Sequence, residues 1–475
     1  MKKIIVFSLG LSLMASLSSC REGDLDPTLA QDKQLTEVKN QQDLAVFVNG
    51  IYSIMRDVNY LGRDYQIYGE VRSDNAYSNG NSNRFIIESS LEYTPDQGQM
   101  PASWYRMYQV IGRANFVINS GVEAFTGDKK AIEHYIGQAY IARAMAHFDL
   151  VRIFGQHYVD GQGGMNALGV PYVKLFKGDP ANPYPARNTV QEVYDFAVED
   201  LNEAIKLMDV SLDDSSSSYF TSASAWALMS RMAIYFGDYS LAEKSSDEVI
   251  KSGKYTISTV SNYVNTWKSK GASNWIFALY SNTSNESLGN NSLARIYRLP
   301  SSGVGYGDVV GLGNLYDLYE ASDIRRSSDM FTSKTGAGAG EFRVMGKFPD
   351  VANGGDAIPV IRYEEVVLNY AEALFNNGKV GEALIWLNKI PSNRGASIYT
   401  NINMDNILKE RRKEFCFEGF RFHDLVRTQK GVDMLDDTRQ RMKKSVPYGD
   451  YRLAFPIPRT EMNVNANMKQ NKNYQ

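Results

Sequence analysis

The sequence contains few cysteines and few histidines, and each shortage excludes a class of protein. Its 475 residues include two cysteines, Cys20 and Cys416, and four histidines. Two cysteines cannot form the several disulfides that hold small secreted scaffolds together. The histidines are scattered and show neither HExxH nor another zinc-binding spacing. We therefore expect no metal centre, and a chain of this length can bury a large hydrophobic core instead.

The sequence also lacks an excess of positive charge. It has 51 lysines and arginines against 54 aspartates and glutamates, which gives a formal net charge of −3. With no basic run either, we expect no nucleic-acid partner. The glycine-rich stretches 303–307 and 336–340 lack the Lys-Ser/Thr of a P-loop, and no G-x-S-x-G elbow occurs. These absences exclude the commonest sequence signatures of nucleotide-binding proteins and serine hydrolases.

The first residues resemble an export signal. Lys2 and Lys3 precede an apolar run that is too short to span a bilayer comfortably. The run ends in Leu17-Ser18-Ser19-Cys20, which resembles the lipobox of bacterial lipoproteins. The resemblance implies that residues 1–19 are a signal peptide, that Cys20 is acylated and that residues 20–39 are a flexible tether. A plain secretory signal with an incidental cysteine is the alternative.

The clearest structural pattern is IRYEEVVLNYAEALFNNGKVGEALIWLNKI, from Ile361 to Ile390. Apolar residues recur at three- and four-residue intervals in two runs, which predicts two helices separated by Gly378. A second stretch, Ala225 to Ile250, shows the same pattern. Small residues occupy the same relative positions in both, at Ser230, Gly237 and Ala242 and at Ala371, Gly378 and Ala383. This spacing is typical of tetratricopeptide helix pairs, although any antiparallel hairpin with an alanine-rich interface could share it.

The rest of the chain is predicted to be mainly helical as well. Further amphipathic runs begin at Asp43 and about Ala102, and others cover 132–154, 190–208 and 405–428. Two regions, about 60–100 and 255–358, are rich in Gly, Ser, Asn and Tyr and predict loops with a few short strands. Within the second region, NWIFALY, residues 274–280, alternates like a buried strand, so we expect Trp275 to lie in the core. The expected fold is therefore mainly α, with helix pairs and loop-rich insertions in one domain from residue 40 to residue 475.

One segment near the C-terminus has the composition of an acid–base or metal site at first sight. Segment 410–427 contains four carboxylates and a histidine: Glu410, Glu414, Glu418, His423 and Asp424. On a helix, however, Arg411 and Glu418 fall on the buried face, where charged pairs more often hold helices together than catalyse reactions. His423 has no second histidine at ligand spacing. We expect a structural role for this cluster and no catalytic residues.

The two loop-rich regions offer the better candidate site. They contain aromatic rings beside amides, carboxylates and one guanidinium, a composition that suits stacking on a sugar and hydrogen bonding to its hydroxyls. The candidate ligand-binding residues are Tyr65, Tyr68, Asp74, Asn75, Tyr77, Asn81, Trp267, Tyr297, Tyr306 and Arg343. Ordinary loop packing is the alternative for each aromatic. The oxygen-rich stretch from Asp74 to Asn81 could also hold a cation, but it lacks the terminal glutamate of a calcium loop.

Several stretches in this order resemble the SusD-like (RagB/SusD) nutrient-binding lipoproteins of Bacteroidetes. After the lipobox at Cys20, the resemblance is carried by RANFVINSGVEAF, QAYIARAMAHFDLVRIFG, VYDFAVEDLNEAI, TSASAWALMSRMAIYFGDYSLAEKSSDEVI, IPVIRYEEVVLNYAEAL, GEALIWLNKI, ILKERRKEFCFEGFRFHDLVR and FPIPRTEMNVNANMKQN. It covers nearly the whole chain after the signal. Since the family holds its ligands with variable loops, it transfers no site residue by motif.

The resemblance implies a fold with about four tetratricopeptide-like pairs and display on the outer-membrane surface through a lipid anchor. It implies a protein that binds an oligosaccharide, needs no cofactor and works with a SusC-like TonB-dependent outer-membrane transporter. A peptide-binding subunit of a similar transporter is the first alternative. A surface hydrolase that uses Glu414 or Glu418 is the second.

Overall fold

The computed structural model describes residues 37–158, 163–269, 271–281, 286–299 and 305–474. The expected signal peptide, the acylated Cys20 and most of the tether lie outside these residues. The described chain is mainly helical, as predicted. Its helices are α1 Gln41–Met55, α2 Asp64–Val71, α3 Ile86–Ser90, α4 Met100–Ser120, α5 Lys129–Phe154, α6 Val190–Leu207, α7 Ser222–Phe236, α8 Tyr239–Lys251, α9 Tyr263–Thr266, α10 Leu293–Tyr297, α11 Gly313–Tyr316, α12 Tyr363–Asn376, α13 Val380–Ser392, α14 Met404–Phe415, α15 Arg421–Arg427 and α16 Arg459–Val464.

Both predicted helix pairs are present, as α7 with α8 and α12 with α13. Gly237 and Gly378 end the first helix of each pair, at φ +79° and +80°, a left-handed conformation that glycine adopts at little cost. Thr221 starts α7 with a reciprocal capping box to Ser224. Helices α4, α5 and α6 pack against one another in succession and extend the same arrangement towards the N-terminus.

The two pairs also pack on each other, although more than a hundred residues separate them in the chain. Ala233 and Ala242 of the first pair share a small buried cluster with Ala373 of α12. Beside it, the side-chain amide of Asn369 donates to Ser230 Oγ at 3.1 Å. Small side chains allow the helices to approach closely, which explains the spacing seen in the sequence.

In the part of the chain that the structure describes, five short strands form two antiparallel sheets. They are β1 Ala76–Ser78, β2 Trp275–Leu279, β3 Val309–Leu312, β4 Glu341–Phe342 and β5 Ile358–Arg362. One sheet has the order β1-β3-β4 and the other pairs β2 with β5. The buried strand predicted around Trp275 is thereby confirmed. Strand β5 runs directly into α12, so Ile361 lies within a strand and does not begin the helix as the sequence pattern suggested.

The region 60–100 is more ordered than its composition indicated. It contains α2, whose residues are all buried, as well as β1 and α3. In the described residues, one large hydrophobic core joins buried side chains from Val38 to Tyr474, and two small clusters lie beside it. Within the described ranges, no helix is both long and apolar enough to cross a membrane.

The close contact between the two helix pairs predicts that a larger side chain at this contact destabilises the fold. Ala373→Leu adds a branched side chain where no space is available, and we expect it to lower the free energy of unfolding by about 1–3 kcal/mol. Ala102→Leu, at an exposed position of α4, is the matched control and should change it little. Urea unfolding of both variants measures the difference, and equal midpoints would contradict this packing.

Candidate functional site

The three-stranded sheet brings two distant loops together at one end. Ser78 of β1 lies opposite Val309 of β3, so the loop that follows β1 meets the residues that precede β3. We call the resulting surface, made of residues 79–84 and 306–308, the Tyr306 face. It draws on both regions in which the sequence predicted ligand-binding residues.

Hydrogen bonds fix the loop after β1 against Asp308. The side-chain amide of Asn79 donates to the carbonyl of Gly307 at 2.8 Å. Ser82 donates through Oγ to the Asp308 carboxylate at 2.6 Å, and the Arg84 guanidinium lies 3.6 Å from the same carboxylate. Asp308 is fully buried, so these donors compensate a charge that water cannot reach. The loop is therefore held in one conformation.

Arg84 and Tyr306 form a flat platform on this surface. The guanidinium carbon lies 4.4 Å from the centroid of the Tyr306 ring, the geometry of a cation–π contact. Tyr306 is half-buried, and the Arg84 side chain is 23% exposed. The exposed amide side chain of Asn81 is on the same loop. A planar stack beside an amide can take the C–H face of a sugar and hydrogen-bond to its hydroxyls.

Two further candidate residues, Tyr77 and Arg343, are buried. Tyr77 Oη donates to Glu341 Oε2 at 2.5 Å, and burial together with this carboxylate raises the pKa of Tyr77. Arg343 donates to the carbonyl of Gly307, and burial lowers its pKa. The sequence placed both among the ligand-binding residues, whereas the structure buries both, with Tyr77 bonded to Glu341 and Arg343 holding Gly307 of the Tyr306 face.

Two predicted tyrosines of α2 lie in the core. Tyr65 stacks on His423 with ring centroids 5.8 Å apart, and the hydroxyl of Tyr68 lies 2.8 Å from Ser103 Oγ. Burial raises the pKa of both phenols. Because α2 is buried on every side, the expectation that these rings face a ligand was wrong.

Trp267 and Tyr297 are core residues as well. Two buried cations lie near the Trp267 ring, with Lys347 Nζ 5.0 Å and Arg362 Cζ 5.2 Å from its centroid. Tyr297 stacks on Phe348 at 5.9 Å. Both side chains are buried, so their place in the predicted binding surface is corrected.

Asp74 and Asn75 are engaged by arginines. Arg421 contacts the Asp74 carboxylate at 2.6 Å, and Arg412 donates to Asn75 Oδ1 at 2.7 Å. Burial alone would raise the pKa of Asp74, but Arg412 and Arg421 outweigh burial and lower it to about 2. These oxygens therefore serve ion pairs with protein cations and are not free for a ligand or a metal ion.

Of the ten predicted residues, the structure leaves Asn81 and Tyr306 accessible on one surface. Binding by these two stays a prediction. The sequence reasoning missed Arg84 and Asp308, which organise the surface, and Arg441, which donates to the carbonyl of Ser78 at 2.8 Å. Arg84 lies in the loop that was recognised, but its partner Tyr306 is more than two hundred residues away.

The acidic cluster near the C-terminus forms a buried ionic network around Glu414. Arg394 donates to both carboxylate oxygens at 2.9 and 3.0 Å, and Arg362 and Arg325 each donate at 3.0 Å. Burial opposes ionisation of Glu414, but Arg394, Arg362 and Arg325 outweigh it and hold its pKa well below the ordinary 4.5. No oxygen of this carboxylate points to solvent.

The neighbouring groups are paired in the same way. Glu418 contacts Lys347 at 2.6 Å and Arg362 at 2.8 Å, while Arg411 pairs with Asp424 at 3.0 Å. In the described part of the chain, neither ring nitrogen of His423 has a hydrogen-bond partner, and burial lowers its pKa well below 6.5. The geometry supports the structural role expected for this cluster.

Two family models match adjoining parts of the chain. The model described as "SusD family" matches residues 254–474, and the model described as "Starch-binding associating with outer membrane" matches residues 25–235. Between them they leave out only 1–24, 236–253 and the last residue. The chain belongs to the SusD-like family.

Related proteins align over most of the chain. A SusD-like protein of Formosa agariphila is 24% identical over 91% of this chain and 92% of its own length. A SusD superfamily structure from Bacteroides thetaiotaomicron has a TM-score of 0.82 and 26% identity, covering 91% of this chain and 99% of that one. A putative sugar binding protein from Bacteroides vulgatus has a TM-score of 0.80 and 27% identity, with coverages of 92% and 99%.

The buried ionic network predicts that neutralising Glu414 strongly destabilises the fold. Glu414→Gln keeps the shape of the side chain but removes the negative charge that balances three buried guanidinium groups. We expect it to lower the free energy of unfolding by about 3–5 kcal/mol at neutral pH. Because the folded-state pKa is depressed, this stabilisation is present above about pH 4.5 and disappears as pH falls through the folded value.

Urea unfolding at several pH values measures the effect of Glu414→Gln. Glu382→Gln, at an exposed position of α13, is the matched control and should leave stability unchanged. A Glu414→Gln protein as stable as the parent at pH 7 would contradict the network.

Proposed function

We propose that the protein is a cell-surface lipoprotein that captures an oligosaccharide and delivers it to a SusC-like TonB-dependent outer-membrane transporter. Membership of the SusD-like family supports a glycan-binding role. The similarity to a putative sugar binding protein over nearly the whole chain supports the same role. The protein acts in this proposal by binding and transfer, without catalysis and without a cofactor.

The Arg84–Tyr306 stack is the observation that carries the proposal. Protein sites for sugars combine a planar group that packs on C–H bonds with amides and charged groups that take the hydroxyls. On the Tyr306 face the planar group is partly exposed, and its position is fixed by the contacts of Asn79, Ser82 and Arg84 with residues 307–308. Little loop entropy is then lost on binding, because the surface is already ordered.

The proposed location follows from the N-terminal sequence together with the family. One family model is described by association with the outer membrane. A lipobox ending at Cys20 supports anchoring by acyl chains, each buried methylene contributing ~0.8 kcal/mol. A tether after Cys20 lets the folded part reach a transporter in the same membrane.

Removing the Tyr306 ring tests the site. Tyr306→Ala should weaken oligosaccharide binding about tenfold, a loss of ~1.4 kcal/mol, because the flat stacking surface disappears. Isothermal titration against a panel of neutral glycans measures the affinity. Tyr105→Ala, which removes a 61% exposed tyrosine on α4, is the control and should bind normally.

The panel also separates the alternatives. Binding of oligopeptides without any glycan would replace the carbohydrate proposal by the peptide-binding one. Turnover of a glycan that disappears in a folded Glu418→Gln protein would establish the hydrolase.

Cys20→Ala tests the anchor. Without the acylated sulfur we expect the protein to leave the membrane fraction, since it has no acyl chains to bury. Fractionation of cells and labelling with a fatty-acid analogue measure this. Cys416→Ala is the matched control, because Cys416 is buried and should not be acylated. Membrane retention of an unlabelled Cys20→Ala protein would contradict the lipid anchor.

A further inference from the structure

An open cavity lies beside the C-terminal segment, apart from the residues that make up the Tyr306 face. It is bounded by residues 92–97, which precede α4, and by residues 444–452, and its volume is about 550 Å³. This volume falls within the ~300–1,000 Å³ typical of sites for small ligands. All but one of the lining residues are exposed or half-buried, so a ligand can reach them. We call it the Tyr451 cavity.

Tyr451 supplies an aromatic wall. The residue is half-buried, and its ring packs against Tyr474 with centroids 5.0 Å apart and the ring planes at 72°. Tyr474 is itself buried, and its hydroxyl donates to the carbonyl of Ala454 at 2.9 Å. Because Tyr451 rests on a ring that is held in place, it keeps its orientation without a ligand. The part of the Tyr451 ring that stays open can pack on the C–H bonds of a sugar.

The residues on either side of Tyr451 in the chain form a planar ion pair. Arg452 donates through Nε to Asp450 Oδ1 at 2.9 Å and through Nη2 to Oδ2 at 2.8 Å. The backbone N–H of Arg452 also donates to Oδ1, at 2.9 Å. A carboxylate can accept about four hydrogen bonds, and within the described residues Asp450 accepts these three. With 17% of its side chain exposed, Asp450 can accept one more from a sugar hydroxyl.

The charges that line the cavity are balanced, which favours a neutral ligand. The lining residues include two carboxylates, Glu92 and Asp450, and two cations, Lys444 and Arg452. Glu92 is also paired with Lys443 at 2.7 Å. An ionic ligand would have to compete with these pairs for its counter-charge. Hydroxyl groups can instead bond to the outer lone pairs and N–H groups without separating any pair.

One short chain segment joins the Tyr451 cavity to the Tyr306 face. Arg441 donates to the carbonyl of Ser78 at 2.8 Å and to the carbonyl of Asn79 at 2.5 Å. Three residues further along the chain, Lys444 lines the cavity. Three residues span at most ~11 Å even when fully extended, so the backbone at these two positions is no farther apart than that. One oligosaccharide can therefore contact both surfaces.

We infer that the Tyr451 cavity is a second subsite for a neutral oligosaccharide, and that one glycan chain occupies it together with the Tyr306 face. Tyr451 packs on a sugar ring, and the Asp450–Arg452 pair and the exposed amide of Gln97 bond to its hydroxyls. Contact at the second surface is then intramolecular, so affinity rises with the length of the chain. This inference rests on the proposed glycan-binding function and adds a preference for long glycans.

Isothermal titration with glycans of two lengths tests the inference. The probes are the disaccharide and the hexasaccharide of β-1,4-linked glucose, α-1,4-linked glucose and β-1,4-linked xylose. We expect the hexasaccharide of the glycan that binds to bind at least tenfold more tightly than its disaccharide, with one hexasaccharide per protein. Tyr451→Ala should lower the hexasaccharide affinity about tenfold and leave the disaccharide affinity unchanged, because a disaccharide held on the Tyr306 face does not reach the cavity.

Tyr370→Ala is the matched control. Tyr370 is half-buried on α12 and packs edge-on against Trp386 at 5.1 Å, so the variant loses a comparable aromatic contact that is not part of the cavity. It should bind both lengths normally. If Tyr451→Ala fails to fold, Gln97→Ala combined with Lys444→Ala removes hydrogen-bonding groups at two exposed positions. This double variant should reduce the length preference at least threefold.

The outcomes separate this inference from the proposed function. Equal affinities for the two lengths, or a length preference that survives both Tyr451→Ala and the double variant, would overturn the Tyr451 cavity and leave the Tyr306 face intact. Two hexasaccharides per protein would show independent sites and overturn the joint occupancy. Tyr306→Ala should weaken the binding of both lengths. Absence of binding to any glycan would overturn both proposals.

Discussion

A buried negative charge must be balanced locally, because the protein interior cannot solvate it. Glu414 meets this requirement through arginines from three other parts of the chain. Arg325 comes from the second loop-rich region, Arg362 from the junction of β5 and α12, and Arg394 from the segment after α13. Since none of these groups can be left unpaired, α14 fixes the relative positions of all three segments.

The same helix, α14, also connects the ionic network to the candidate site. Arg412, also on α14, holds the carbonyl of Asp74 and the side chain of Asn75, which directly precede β1. Strand β1 pairs with β3, and this pairing brings residues 79–84 against residues 306–308. The Tyr306 face is therefore built on a continuous series of contacts that begins in the ionic network. Because the helices form the scaffold and the proposed binding surface lies on loops, the loops can vary without loss of the fold.

Local patterns were sufficient to predict the helix pairs. The apolar periodicity, the ending glycines and the small residues at the crossings all act within a few turns of helix, so the sequence shows them directly. The buried strand around Trp275 was recognisable for the same reason. The α2 helix was missed because its sequence, DYQIYGEV, mixes polar and apolar residues without a helical stripe, and a helix buried on every side shows none. The start of α12 was misplaced because β5 runs into it without a break.

The sequence by itself determined the helical hairpins, the family and the two regions in which ligand-binding residues were expected. Only the tertiary structure decided which tyrosines in those regions are accessible. Four of these tyrosines have similar sequence neighbours, rich in Gly, Ser and Asn. Tyr65, Tyr68 and Tyr297 are nevertheless buried, whereas Tyr306 lies on the surface. Burial depends on what packs against a ring from distant parts of the chain, as His423 does for Tyr65 and Phe348 for Tyr297. Composition along the chain carries no information about those partners.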